Sequence, residues 1–238
     1  MVFYLSFFIF LIVGEPLQAD SLNCLLLPGE NEISQELLSS FDEPYFKGVL
    51  MPDPENLVKE WGEVFGASRV SEVHRLGSGG MGGDVYRVRV STSNHADQEI
   101  VLKKYYANTD AQADFTSMKL LSDFDDSHLK IAKVEWYNRE ESIVEIQNIQ
   151  GWELRSILKN KRISEKAKKR IFTQYTLSMN LLDQFLKKKG FKKVAVIQKN
   201  GLYSWIRTSG GKVEEIVIHP GQVIVDPQTL KITIIDPS

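Results

Sequence analysis

The stretch Leu76-Gly77-Ser78-Gly79-Gly80-Met81-Gly82-Gly83-Asp84-Val85-Tyr86 constrains this chain more than any other. A backbone so poor in side chains can take up positive φ and turn sharply, and its N–H groups can close on phosphate oxygens without obstruction. Glycine clusters also make ordinary hairpins and linkers, so the stretch gains meaning only from the segments downstream of it. Ile100-Val101-Leu102-Lys103 reads as a strand that carries a lysine. Lys104 is next in line and points to the opposite strand face, so only one of the two lysines can face the loop.

In this order the segments resemble the N-terminal lobe of protein kinases, and the glycine run with Val85-Tyr86 after it is especially similar to bacterial Ser/Thr kinases. The resemblance implies that ATP is bound, with Gly77, Ser78, Gly79, Gly82 and Lys103 on its phosphates. Strands are expected over 73–76, 85–90, 99–105, 131–137 and 142–147, with a polar hairpin tip over 91–98. Gly83-Asp84 departs from the family, which usually has one residue between the third glycine and the valine. A helix is expected over 110–124, where a kinase carries the glutamate that pairs with the lysine. It contains no glutamate. Asp114 is the nearest acid, and its short reach favours an exposed first-turn aspartate over an ion pair. Ile143 to Leu154 resembles the fifth strand, hinge and following helix of the family. Gln147 to Ile149 would then offer backbone groups to an adenine edge, with Ile146 at the gatekeeper position.

Ile171, Tyr175, Met179, Leu182 and Leu186 repeat at spacings of three and four, which predicts a long core helix over 164–189. Lysines and arginines flank it, and they read as a solvated face. Farther on, Ile218-His219-Pro220-Gly221-Gln222-Val223-Ile224-Val225-Asp226-Pro227 resembles the H-P-G-N-I-L-V-D turn of the aminoglycoside-phosphotransferase branch of the kinase-like superfamily. Ile234-Ile235-Asp236-Pro237 resembles its metal-binding strand end. Carried across residue by residue, the resemblance puts Asp236 on Mg2+ and Gln222 where an asparagine binds a second magnesium. The family's proton-accepting aspartate falls on Val217, which cannot accept a proton. Glu214 or Glu215 would substitute only if the unmatched, strand-like run 194–215 folded back over the cleft. His219 reads as a structural residue of the turn. Only two residues follow Asp236, with no activation segment, so peptide phosphorylation in the usual manner is not expected if the chain is complete.

Residues 2–13 are apolar apart from Ser6, and a polar segment ending at Ala19 comes next. That pattern is too short for a membrane span and reads as a signal peptide over 1–19, which predicts export with cleavage near Ala19 and no stable span in the mature chain. The single Cys24 excludes an intrachain disulfide. Helices are expected over 31–41 and 54–65, the second with Asp53 as N-cap and Pro54 at its first position, packed on the small lobe. At 238 residues, 42% hydrophobic and net charge -2, the chain can bury a sizeable core and gives no reason to expect a nucleic-acid partner.

These readings predict an α+β, two-lobed protein-kinase-like fold. Residues 20–72 would be a helical extension, 73–150 a five-stranded antiparallel small lobe, and 151–238 a reduced helical large lobe. Two functional classes stay open. One is a phosphotransferase using ATP and Mg2+ with an unidentified base. The other is an exported pseudokinase, a binding or scaffold module without catalysis, whose partner is a protein or small molecule of unknown identity.

Overall fold

The structure, a computed structural model, describes residues 29–41, 49–50, 69–78, 83–92, 95–124, 126–197 and 201–237. The expected signal peptide, Cys24, the helix over 54–65, and the loop residues Gly79 and Gly82 lie outside the described residues.

The fold is α+β. Five strands make an antiparallel sheet in the order β2 (Arg69–Ser78), β3 (Gly83–Thr92), β4 (His95–Tyr105), β7 (Ile143–Ile146), β6 (Val134–Asn138), and the two-residue β1 (Val49–Leu50) lies along β2. Strand alternation explains the sheet's two faces. Tyr86, Val88 and Val90 of β3 and Ile100 and Leu102 of β4 are buried together, and Val88 lies opposite Ile100. On the other face Arg89 binds Glu72 of β2 at 3.2 Å and Glu99 of β4 at 3.0 Å, tying three strands. The extra residue of the glycine turn fits into the ladder. Gly83 pairs with Tyr105, and a Cβ there would stand 2.1 Å from the Lys104 carbonyl oxygen, so no side chain is tolerated.

The single strand expected over 131–137 is divided. Leu129–Ile131 (β5) leaves the large sheet and pairs in parallel with β13 (Ile232–Ile234), and the Ala132 N–H donates to the Ile234 carbonyl before β6 begins. Leu129 is fully buried in a different core from the one under β6, which is why the chain must cross over at Ala132 and Lys133. The helix expected over 110–124 is α2 (Asn108–Leu121), whose Ala111 and Met118 pack with Tyr105, Val144 and Ile146.

Beyond the large sheet come β8 (Trp152–Glu153), α3 (Leu154–Lys159) and α4 (Glu165–Lys188). The Ser164 side chain caps α4 by accepting from the Ala167 N–H, and Lys187 and Lys188 sit in its last turn, where the helix dipole favours cations. Its apolar stripe of Ile171, Tyr175, Met179, Leu182 and Leu186 is wholly buried. The run 194–215 corrects the expectation of a mainly helical second part. It belongs to a three-stranded sheet of β9 (Lys192–Ile197), β10 (Leu202–Ser209) and β11 (Lys212–Ile218), packed on α4 through Tyr203 and Trp205. Buried Trp205 needs a partner for its indole N–H and finds one in Asp183 of α4 at 2.9 Å. A 3-10 turn, Pro220–Gln222, leads to β12 (Val223–Val225), and β5, β13, β12 and β8 form a four-stranded sheet.

The helix expected over 31–41 is α1 (Glu30–Ser40), but its packing differs from the expectation. Ile33 and Leu37 enter the core of α3 and α4, not the cores of the large sheet that was expected to cover them. Each fully buried aliphatic side chain favours that docking by about 1.5 to 3 kcal/mol. The Glu36 carboxylate also accepts from the Ser164 N–H and from the Ser164 hydroxyl at 3.0 Å, and Asn160 donates to the Ser40 carbonyl at 3.1 Å. No helix among the described residues is long and apolar enough to cross a membrane.

Candidate functional site

A cleft of about 680 Å³ opens between the large sheet and the β12–β13 region. Leu76, Val85 and Val101 line it from the sheet side, and Ile224 and Ile235 from the other. The connection from Ile146 to Trp152 borders one end, and Lys103 and Asp236 also line the cleft. Strand geometry places Lys103 there. It lies opposite Val85 on β3, while Lys104 takes the other face and binds Glu141 at 3.2 Å.

Lys103 is 2% exposed, and its ammonium stands 2.7 Å from Asp114 Oδ2 and 2.6 Å from Asp236 Oδ2. The Tyr105 hydroxyl also donates to Asp114. This overturns the expectation of an exposed Asp114. α2 begins at Asn108, so Asp114 lies in its interior, on the same side as Ala111 three residues earlier. Ala111 is fully buried with Tyr105 of β4, so this face of α2 packs on the strand that carries Lys103 and the short aspartate reaches it. Burial opposes the charge on Lys103, but Asp236 and Asp114 more than offset it and raise its pKa. Burial, followed by the Asp114 charge, pushes Asp236 up to about 7 against the pull of Lys103.

Asp236 Oδ1 is buried and has no hydrogen-bond partner among the described residues. A buried acceptor left bare costs about 1 to 3 kcal/mol, and a hard cation would satisfy it. Magnesium keeps several waters and binds through one or two carboxylates plus phosphates, so Asp236 fits as its protein ligand. Gln222 does not fit as the second. Its amide oxygen accepts from the His219 N–H at 2.9 Å, and its carbonyl accepts from the Ile235 N–H at 2.9 Å, which makes it a clamp between the turn and the Asp236 strand. Among the described residues no group of three or more His, Cys, Asp or Glu is placed to hold a metal.

Of the groups near the turn, His219, Glu214 and Glu215 are engaged elsewhere, while Glu153 Oε1 stands beside it, 2.9 Å from where a Cβ at Gly221 would lie. His219 Nδ1 accepts from the Gly221 N–H at 3.1 Å and lies 3.0 Å from Arg155 Nη2. Both neighbours are donors, which assigns the ring proton to Nε2. Burial and then the Arg155 charge lower the His219 pKa. Val217 lies on β11 opposite Ser204 and does not line the cleft. Glu214 pairs with Arg207, and Glu215 accepts from the Ser204 hydroxyl at 2.7 Å, so both acids are held within their own sheet. Glu153 does line the cleft, and it accepts from the Ser156 hydroxyl at 2.9 Å.

At the connecting segment, the Gln147 N–H donates to the Lys133 carbonyl at 2.8 Å, so what Gln147 can offer a ligand is its carbonyl. Ile149 lines the cleft and is half-buried against the α2 core. Gly151 has φ 149°, and a Cβ there would stand 2.5 Å from the Val225 carbonyl oxygen and 2.6 Å from the Ile224 side chain. Gly77 and Ser78 end β2, opposite Val85 and Asp84, at the entrance to the glycine turn. Two participants were missed in the sequence: Tyr105, which no motif marked, and Phe41, which stacks on Trp152 at the cleft. Comparison with family models, curated proteins and solved structures gives no match.

Proposed function

We propose that the cleft binds ATP in a kinase-like, two-lobed arrangement, with the base along residues 147–149 and the phosphates toward Lys103. The observation that carries this reading is the buried lysine held between two carboxylates at a cleft whose other lining is largely apolar. A cation this deep is costly without anionic partners, and phosphate would join or displace them. Bound magnesium would neutralise phosphate charge, with Asp236 as its protein ligand.

With Val217 where the resemblance puts the proton acceptor, a binding or scaffold role, that of a pseudokinase, is favoured. Losing a positioned base costs a factor of about 100 to 10,000 in rate. Slow phosphoryl transfer to a hydroxylated acceptor is the second reading, favoured by the unpartnered Asp236 Oδ1, since transfer rests mainly on positioning and charge neutralisation. Calorimetry with a non-hydrolysable ATP analogue, with and without magnesium, tests the binding. The expected result is magnesium-strengthened binding, and no heat under either condition sinks the proposal. Incubation with labelled ATP then separates the two roles: ADP release that vanishes in Asp236→Ala establishes an enzyme.

A further inference from the structure

The cleft receives one aromatic side chain from outside the segments that build its walls. Phe41, at the C-cap of α1, lies flat on Trp152 with ring centroids 3.8 Å apart and planes 10° apart, and both rings line the cleft. Trp152 comes three residues after Ile149 and pairs with Val225, while Gly151 rests against Ile224. The aromatic pair therefore stands at the end of the cleft formed by the connecting segment. Lys103 and Asp236 lie on other elements, held to each other and to Asp114.

Phe41 is held in this position rather than loosely applied. Ile33 and Leu37 anchor α1 in the core, Glu36 binds Ser164, and Asn160 binds the Ser40 carbonyl immediately before Phe41. Val85 and Val101 on one side and Ile224 on the other make a slot suited to a flat, weakly polar group. An aromatic ring at one end of such a slot adds offset or edge contacts that an aliphatic chain cannot provide.

We infer that Phe41 is a nucleobase-contacting residue, so that the segment before the large sheet completes the base end of the site and favours ligands with an aromatic heterocycle. This inference rests on the nucleotide-binding reading. Phosphate recognition is left to Lys103 and the glycine turn, so the contribution of Phe41 is confined to the base.

The test uses the full chain and its Phe41→Ala, Phe41→Leu and Phe41→Tyr variants, titrated calorimetrically with a non-hydrolysable ATP analogue, with adenosine and with inorganic tripolyphosphate. Thermal unfolding of each variant is recorded alongside. In Phe41→Ala, affinity for the analogue and for adenosine is expected to fall about five- to tenfold, the scale of one lost aromatic contact. Tripolyphosphate affinity stays unchanged, and Phe41→Tyr binds like the parent. If Phe41→Ala does not fold, Phe41→Leu carries the same comparison. Unchanged analogue affinity, or a parallel fall in tripolyphosphate affinity, overturns the inference while leaving nucleotide binding intact. A parent chain that binds none of the three ligands overturns the nucleotide reading itself, and this inference with it.

Discussion

Lys103 Nζ and Asp236 Oδ2 stand 2.6 Å apart although 133 residues separate them in the chain. The contact joins the large sheet to the strand end after β13, and Asp114 completes a buried group of one cation and two carboxylates. Removing the cation leaves the Asp114 carboxylate buried without its counter-charge, and Asp236, already pushed up to about 7 against the pull of Lys103, takes up a proton. Lys103→Met should therefore destabilise the protein by about 3 to 5 kcal/mol at neutral pH. Asp114→Asn in the same chain should restore part of that loss by removing the uncompensated buried charge. Urea unfolding of the single and double variants measures both, and a Lys103→Met loss below about 1 kcal/mol would contradict the buried geometry.

Gly151→Ala should be disproportionately harmful for so small a change. Its φ of 149° belongs to glycine, and the added Cβ would meet the backbone oxygen of Val225, which cannot swing aside as a side-chain tip can. Strain and displacement together predict a loss of about 1 to 3 kcal/mol. Gly210→Ala is the control: its φ of 57° carries conformational strain, but nothing lies within 4 Å of the added Cβ. A smaller loss for Gly151→Ala than for Gly210→Ala in thermal unfolding would refute this account.

His219 gives the stability a pH dependence of definite sign. Burial and Arg155 hold its folded pKa below the ordinary 6.5, so between those values the unfolded chain binds a proton that the folded chain refuses. Stability increases with pH wherever the unfolded state binds more protons. The contribution is present above pH 6.5 and is lost as pH falls through the lowered folded value. Protonation of Nδ1 would turn the acceptor for Gly221 N–H and Arg155 into a donor. His219→Asn, with an amide oxygen as acceptor, should flatten the stability profile below pH 6.5. An unaltered slope would place the titration elsewhere.

Much of the large sheet was legible because strand alternation and a glycine turn are local signals. Val85 to Val90 and Ile100 to Leu102 carry their burial pattern in the residue order itself. α4 was legible for the same reason, with a cap at Ser164 and a stripe at helical spacing. Asp114 was misread because its role depends on how α2 packs against β4, which is invisible to reach arguments about one side chain. Gln222, expected on a second magnesium, instead turns its amide oxygen back to the His219 N–H, a contact that residue type alone does not announce. The docking of α1 depends on Ile33 and Leu37 meeting a core assembled from residues far along the chain. An amphipathic helix announces that it has an apolar face, not what will cover it.

Export is a separate proposal resting on the apolar run before Ala19. Expressed in a secreting bacterial host, the full chain should yield a mature N-terminus at or near Asp20 in the exported fraction. Terminal sequencing decides it, and an intact Met1 confined to the cytosol would refute it.

The Lys133–Gln147 contact has a mechanical consequence. Among the described residues, two passages of the chain, at Ala132–Lys133 and at Gln147–Gly151, run between the large sheet and the β12–β13 region and are joined by the Gln147 N–H on the Lys133 carbonyl. The bond ties the two passages into one ribbon, so a displacement of either is carried to the other. Any widening of the cleft has to part Lys103 from Asp236, the ion pair that bridges its walls.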